Sequence, residues 1–278
     1  MNSGIEQGVG KERGEKEMKK IYFGTNLKMY KGISETARYL SDLEARTRDI
    51  SRTEIELFVL PSFTSLPNAC HSADRRLIRL GAQNMCWEEQ GQFTGEVSPL
   101  MLRELGLDLV MAGHSERRHL FRETDEEENR KVRSALEHGF TALLCIGETA
   151  EEKERGLSDA ALRGQLIAGL GGIRPGQAQG LWIAYEPVWA IGAKGTPATA
   201  EYAAEKHRVI RRCLKTLLDE AGAQVPVLYG GSVNPDNADE LIACPEIDGL
   251  FVGRSAWQAQ AFEKMIRSAL AAARRAGK

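Results

Sequence analysis

The chain has 278 residues, of which 42% are hydrophobic and 27% are charged, and its formal net charge is −2. This composition excludes an intrinsically disordered or collagen-like protein, and the length suits one α/β domain of about 250 residues. The near-neutral charge creates no global basic field and we find no basic patch, so we expect neither nucleic acid nor a membrane as a partner.

Residues 1–19 lack the apolar centre of a secretory signal, so we expect a disordered tail followed by one domain over residues 20–278. The longest apolar runs, such as 140–146, are far shorter than the ~18 residues that cross a bilayer. Five widely spaced cysteines without a Cys-x-x-Cys pair indicate neither a metal site nor a redox site. A reducing cytoplasm is the expected location.

Eight apolar segments rich in β-branched residues recur along the chain. Several are apolar almost throughout, which is typical of strands buried on both faces. They cover residues 21–25, 55–60, 77–82, 107–112, 140–146, 181–185, 225–230 and 249–253.

Stretches with helical periodicity lie between these strands. Apolar stripes over residues 209–218 and 262–269 each predict one buried helix face. Thr124 and Glu127 have the spacing of a capping box, which predicts a helix from there to about His138 that ends at Gly139. Strands that alternate with helices, without a linker, favour an α/β protein with a single (β/α)8 barrel, the TIM-barrel architecture. An open sheet is the alternative on this pattern alone.

In such a barrel the loops after the carboxyl ends of the strands form one face, where active sites lie. Asn26 and Lys28 follow the first strand, His114 and Glu116 follow the fourth, and Glu186 follows the sixth. Each of these residues alone is more often a solvated charge or an ordinary loop residue. Their joint placement on one face favours a catalytic site.

Glycine-rich turns follow strands seven and eight, at Gly231-Ser232 and Gly253-Arg254. Backbone N–H groups in these two turns form the usual phosphate site of the barrel. Glycine also serves any tight turn, so for each turn alone the two interpretations are even.

Through these segments the chain resembles the triosephosphate isomerase family. One shared string is Gly113-His114-Ser115-Glu116-Arg117-Arg118, and the others cover residues 26–29, 81–84, 94–96, 145–148, 185–192 and 229–234. They span residues 21 to about 257 in the family's order. The resemblance implies an isomerase that needs no metal or cofactor and moves a proton between adjacent carbons of a small sugar phosphate through an enediolate.

The resemblance assigns Glu186 as the base and His114 as a neutral imidazole that polarises the carbonyl group. A carboxylate is a weak base toward a carbon acid, so it needs a dry setting, which Ile191 and Phe251 would supply. This mechanism requires the carboxylate and the imidazole to face each other across one hollow with room for a few carbon atoms.

The same resemblance gives Asn26 a hydrogen bond to the developing oxyanion and places the charge of Lys28 near the enediolate and the phosphate. Glu116 would lie near Lys28. Backbone N–H groups of Gly192, Ser232 and Gly253 would hold the phosphate in a pocket that Gly231 and Arg254 also line. Residues 187–197 would form a lid that closes over the substrate.

The segment from Gln83 to Glu96 resembles the part that the family inserts into a neighbouring subunit, which implies a homodimer. Glu96 would then pair with Arg117 across the interface. The alternative for this pair is a surface contact of little consequence.

Two departures from the family pattern leave the substrate open: the lid stretch 192–197, and Phe251 and Arg254 after strand eight, where the family has leucine and glycine. We take interconversion of dihydroxyacetone phosphate and glyceraldehyde 3-phosphate, the glycolytic reaction, as the main interpretation. The alternative is isomerisation of a four-carbon ketose phosphate, erythrulose phosphate. A barrel that binds a sugar phosphate without turnover is a third possibility, against which the intact Glu186, His114 and Lys28 argue.

Overall fold

The structure, a computed structural model, describes residues 19–192 and 195–278. Eight parallel strands close into a barrel in which each strand pairs with the next and the last pairs with the first. The predicted (β/α)8 architecture is therefore confirmed. The strands are β1 Ile21–Asn26, β2 Ile55–Leu60, β3 Arg79–Ala82, β4 Leu109–Ala112, β5 Thr141–Ile146, β6 Leu181–Tyr185, β7 Val227–Tyr229 and β8 Gly249–Val252.

Helices cover the outside of this sheet, as the periodic stretches predict. They are α1 Ile33–Thr47, α2 Leu66–Ser72, α3 Pro99–Glu104, α4 Ser115–Leu120, α5 Asp125–Glu137, α6 Ala150–Glu154, α7 Ser158–Gly169, α8 Ala200–Gly222, α9 Ala238–Ala243 and α10 Ala259–Arg275. None of the described helices combines the length and the apolar character needed to cross a membrane.

The limits of several strands differ from the prediction. β3, β4 and β7 each begin two residues late, because the apolar runs there extend beyond the hydrogen-bonded ladder. β1 gains Asn26, which pairs with Leu60 of β2. Residues 1–18 of the predicted tail 1–19 lie outside the described residues, whereas Lys19 forms an ion pair with Asp248 at the base of the barrel.

The capping box that marks the start of α5 is present. The Thr124 hydroxyl accepts a hydrogen bond from the Glu127 N–H at 3.2 Å, and the Glu127 carboxylate accepts one from the Thr124 N–H at 2.8 Å. Gly139, just beyond the helix, has a φ of +79°, a left-handed conformation that glycine adopts at little cost.

The strands bury both faces, so the protein has two apolar layers. The outer layer lies between sheet and helices and includes Phe23, Ile183 and Phe262. The inner layer fills the barrel and includes Phe58 and Trp182. Because side chains fill the interior, a ligand must bind above it, on the loops at the carboxyl ends of the strands.

Candidate active site

The end of β1 places Asn26 and Lys28 beside each other. The Asn26 side-chain oxygen accepts a hydrogen bond from the Lys28 N–H at 2.8 Å, and Lys28 has a φ of +50°. This left-handed conformation costs a residue with a side chain about 1–2 kcal/mol. The Gln83 amide donates to the Lys28 carbonyl at 2.9 Å, so hydrogen bonds on both sides of Lys28 hold the conformation. The Lys28 ammonium contacts the Glu116 carboxylate at 2.5 Å.

His114 precedes the first turn of α4 and caps it. Its Nδ1 accepts a hydrogen bond from the Glu116 N–H at 3.2 Å. A ring nitrogen that accepts from a backbone N–H carries no proton, so the proton of the neutral imidazole lies on Nε2. The imidazole is buried and can present this Nε2–H to a carbonyl oxygen.

Glu186 follows β6, and the residue as a whole is 4% exposed. One carboxylate oxygen lies 3.6 Å from the His114 Nε2, and the other has no hydrogen-bond partner in the structure. The two groups face each other, but the expected space for a few carbon atoms between them is absent in this arrangement. A substrate can enter only if the carboxylate turns away from the imidazole.

Backbone packing fixes the position of Glu186. Its N–H donates to the Ile146 carbonyl at 2.7 Å, and a Cβ atom on Gly147 would lie 1.9 Å from the Glu186 carbonyl oxygen. Beside the side chain, a Cβ on Gly230 would lie 2.7 Å from the Glu186 Cγ. Glycine at these two positions therefore allows the turns after β5 and β7 to approach Glu186 closely.

Below the carboxylate lies Cys145 of β5. Burial, together with the nearby charge of Glu186, raises the pKa of the Cys145 thiol well above its ordinary value. The thiol is therefore neutral, and it places no charge of its own beneath the Glu186 carboxylate. A narrow crevice beside the carboxylate is lined by the apolar Ile146 and Val188 and by the polar Ser115 and Arg118.

Glu148 is a site residue to which the sequence assigned no role, although it belongs to one of the shared strings. Its carboxylate is fully buried and accepts hydrogen bonds from Tyr185 at 3.1 Å, Trp189 at 2.8 Å and Tyr202 at 2.8 Å. Trp189 lies three residues after Glu186, so this network anchors the start of the predicted lid. A buried acid beside several aromatic donors cannot be recognised from spacing alone.

The predicted phosphate residues also lie at this face. Arg254 begins a short 3₁₀ helix, 254–256, and its side chain is exposed. A Cβ on the preceding Gly253 would meet no atom within 4 Å, so open space lies above that turn. The Ser232 hydroxyl contacts the Ala190 carbonyl. A Cβ on Gly231 would clash with the Tyr229 hydroxyl at 2.2 Å.

The lid and its apolar wall are only partly described. Gly192 has a φ of +88° and Ile191 is half-buried, whereas Ala193 and Lys194 lie outside the described residues. Phe251 is buried in the inner layer, where it stacks on Phe58 at 5.7 Å between ring centroids. It therefore belongs to the floor of the site.

The segment predicted to contact a partner divides into two parts. At its start, the Asn84 side chain is buried and accepts from Lys131 at 2.8 Å. At its end, the loop 94–96 is exposed. Arg117, predicted to pair with Glu96 of another subunit, contacts Glu123 of its own chain at 2.6 Å.

Within the part of the chain that the structure describes, no three His, Cys, Asp or Glu side chains converge in a way that could hold a metal ion.

Comparison with known proteins identifies close similarity over nearly the whole barrel. The family model of triosephosphate isomerase matches residues 21–269. The L-erythrulose-1-phosphate isomerase of Rhizobium etli is 49% identical over 247 residues, covering 87% of this chain and 90% of that protein. That of Mesorhizobium japonicum is 45% identical and covers 92% and 100%. The crystal structure of triosephosphate isomerase from Bartonella henselae has a TM-score of 0.80 and 32% identity, covering 89% and 98%.

The close approach of Gly230 to Glu186 yields a test. Gly230→Ala should displace the carboxylate and lower kcat about 10- to 100-fold, because misplacing a reacting group by about 1 Å costs that much. The thermal midpoint should change little. Gly164→Ala in α7, where the added Cβ meets no atom within 4 Å, is the matched control and should keep full activity. Equal kcat values for the two variants would show that Gly230 does not set the position of the base.

Proposed function

The chain belongs to the triosephosphate isomerase family, and we propose that its substrate within that family is a four-carbon ketose phosphate, erythrulose phosphate. The chain is an isomerase of the triosephosphate isomerase type. The third possibility, a barrel that binds without turnover, is therefore set aside.

The observation that carries the choice of substrate is the pattern of sequence identity. Several L-erythrulose-1-phosphate isomerases are 44–49% identical to this chain over most of their length. The triosephosphate isomerase of Bartonella henselae is 32% identical. This pattern supports the four-carbon alternative over the three-carbon reaction that the sequence alone favoured. The changed residues after the family pattern lie in the floor of the site, at Phe251, and in the exposed turn after β8, at Arg254, where a changed side chain can alter which substrate fits.

The two substrates differ by one group. Dihydroxyacetone phosphate carries two hydrogens on the carbon beyond its carbonyl, and L-erythrulose 1-phosphate carries a hydroxymethyl group in place of one of them. The proton that an enzymatic base removes lies on this carbon in both cases. One arrangement of base and electrophile can therefore serve either molecule, and the fit of the hydroxymethyl group decides between them.

The proposed reaction starts when the Glu186 carboxylate removes the proton from C3. The electron pair forms a C2–C3 double bond and the C2 carbonyl oxygen becomes an oxyanion, which the His114 Nε2–H and the Asn26 amide would stabilise. The C3 hydroxyl proton then passes to the C2 oxyanion through the His114 imidazole, while Glu186 returns its proton to C2 and C3 becomes the new carbonyl carbon. The net change moves the carbonyl from C2 to C3.

The positive charge of Lys28 supports the same proposed mechanism. Lys28 would face both the enediolate and the phosphate, and Glu116 holds its ammonium at 2.5 Å. The N–H groups of Gly192, Ser232 and Gly253 would bind the phosphate, with Arg254 adding a cation at the turn. Closure of the lid would exclude water from the enediolate, which otherwise loses its phosphate.

The choice of substrate is tested by steady-state assays. We expect kcat/KM for L-erythrulose 1-phosphate to exceed that for dihydroxyacetone phosphate at least ~100-fold, since a site that hydrogen-bonds a substrate hydroxyl rejects an analogue that lacks it. Both assays use the same protein preparation, and a coupled dehydrogenase or NMR follows product. A comparable or higher kcat/KM for dihydroxyacetone phosphate would contradict the proposed substrate and favour the three-carbon reaction.

We also propose that the protein is a homodimer formed through the Gln83–Glu96 segment and neighbouring loops. Large apolar side chains are exposed on the loops after β1 and β3 and at the end of α4, the helix that follows β4: Met29, Tyr30, Phe93, Leu120 and Phe121. Met29, next to Lys28, is 95% exposed. Such a cluster is typical of a protein–protein interface.

Sedimentation tests the dimer. The protein should sediment at twice the 30.7 kDa of one chain, and Leu120→Asp should shift it to the monomer with reduced activity. Ile167→Asp changes a similarly exposed side chain on α7 and should leave the dimer intact. A fully active wild-type monomer, or dissociation of both variants alike, would contradict this interface.

A further inference from the structure

Trp257 connects the two halves of the candidate site. Its indole N–H donates a hydrogen bond to the Asn26 backbone carbonyl at 2.9 Å. Trp257 also closes the 3₁₀ turn after β8, where its own N–H donates to the Arg254 carbonyl at 3.1 Å. One side chain thus joins the residue that would bind the oxyanion to the turn that would bind the phosphate.

The hydrogen bond from Trp257 links the loops after β1 and β8 beyond the last backbone pairing of these two strands. The backbone pairing of β1 with β8 ends at Thr25 and Val252. The Asn26 carbonyl then takes its partner from the Trp257 side chain. The distance between the β1 and β8 loops at this end therefore depends on an indole and not on the backbone ladder.

Two tyrosines hold the indole and its turn in place. The Tyr30 ring packs on the Trp257 ring with centroids 4.3 Å apart, although Tyr30 is 65% exposed. The Tyr39 hydroxyl, on α1, donates to the Ala256 carbonyl at 2.8 Å. An exposed tyrosine that covers a partly buried tryptophan shields the indole hydrogen bond from water.

We propose that Trp257 is a positioning residue, which fixes Asn26 at the correct separation from the phosphate turn. The proposal rests on the function proposed above, because it assigns one loop to the oxyanion and the other to the phosphate. Trp257 does not touch the reacting atoms in this account. It acts through Asn26, whose side-chain oxygen in turn holds the Lys28 N–H.

Two ligands separate this role from a general effect on stability. Inorganic phosphate needs the phosphate turn alone. 2-Phosphoglycolate joins a phosphate to a carboxylate that resembles the enediolate, so it needs both loops at the right spacing. A residue that sets the spacing should matter for the second ligand and not for the first.

The test compares Trp257→Phe with Tyr30→Phe. Trp257→Phe keeps an aromatic ring and removes the N–H, so kcat should fall about 10-fold with a smaller change in KM. Binding of 2-phosphoglycolate, measured by calorimetry, should weaken about 10-fold, and binding of inorganic phosphate should stay within about twofold. Tyr30→Phe keeps the stacked ring, and its kcat and both affinities should match the wild type.

Equal weakening of both ligands by Trp257→Phe, or no change in either, would overturn the proposal. If that variant fails to fold, Tyr39→Phe, which removes the donor to the Ala256 carbonyl and lies outside the proposed dimer interface, must show the same selective loss of 2-phosphoglycolate binding. A wild type that does not isomerise erythrulose phosphate would contradict the proposed function instead. The comparison of the two ligands needs no turnover, so the two failures remain distinguishable.

Discussion

The contact between the Glu186 carboxylate and the His114 imidazole governs how this site can work. The groups come from loops after β6 and β4, and the closed barrel brings them to 3.6 Å. Both are buried, and one carboxylate oxygen has no hydrogen-bond partner in the structure. An acceptor left unpaired in a dry setting is costly, so the arrangement favours a ligand that supplies the missing partner.

The surroundings restrict how the carboxylate can move. Gly147 and Gly230 let two backbones approach the base so closely that a methyl group at either position would clash. The neutral Cys145 thiol lies beneath it. The Glu186 carboxylate can therefore move toward the open face, through which a substrate must enter. Packing holds the Glu186 carboxylate, and under the proposed function it would turn away from His114 when substrate binds.

Different parts of the molecule bear on the type of reaction and on the choice of substrate. Asn26, Lys28, His114 and Glu186 lie together at one face, and under the proposed function they would carry out proton transfer in a sugar phosphate. The choice of substrate would instead depend on Phe251 in the floor of the site and on Arg254 in the exposed turn after β8. A barrel can therefore retain one reaction type while its loops select another substrate.

Local rules predicted much of the fold. Runs buried on both faces marked the eight strands, and the spacing of Thr124 and Glu127 fixed the start of α5 because a cap involves residues only three apart. The face occupied by the site residues followed from the direction of parallel strands. The left-handed Lys28 and the indole bond from Trp257 to Asn26 could not be predicted, since each depends on residues distant in sequence.

The orientation of Glu186 was also beyond prediction, because side-chain rotation in an unliganded site is set by packing and not by sequence pattern. The spacing of the shared strings gave the chain position of the base but not the direction of its carboxylate. For the same reason the role of Glu148, which accepts from three aromatic side chains, became visible only in the structure.

In the proposed mechanism Glu186 carries the proton, and Glu186→Gln tests that role because the amide keeps the shape of the side chain and removes the base. Turnover of erythrulose phosphate in D₂O should fall at least ~10²-fold, with an equal loss of deuterium incorporation at carbon, while 2-phosphoglycolate still binds. Unchanged turnover, or deuterium incorporation at the wild-type rate, would show that another group removes the proton.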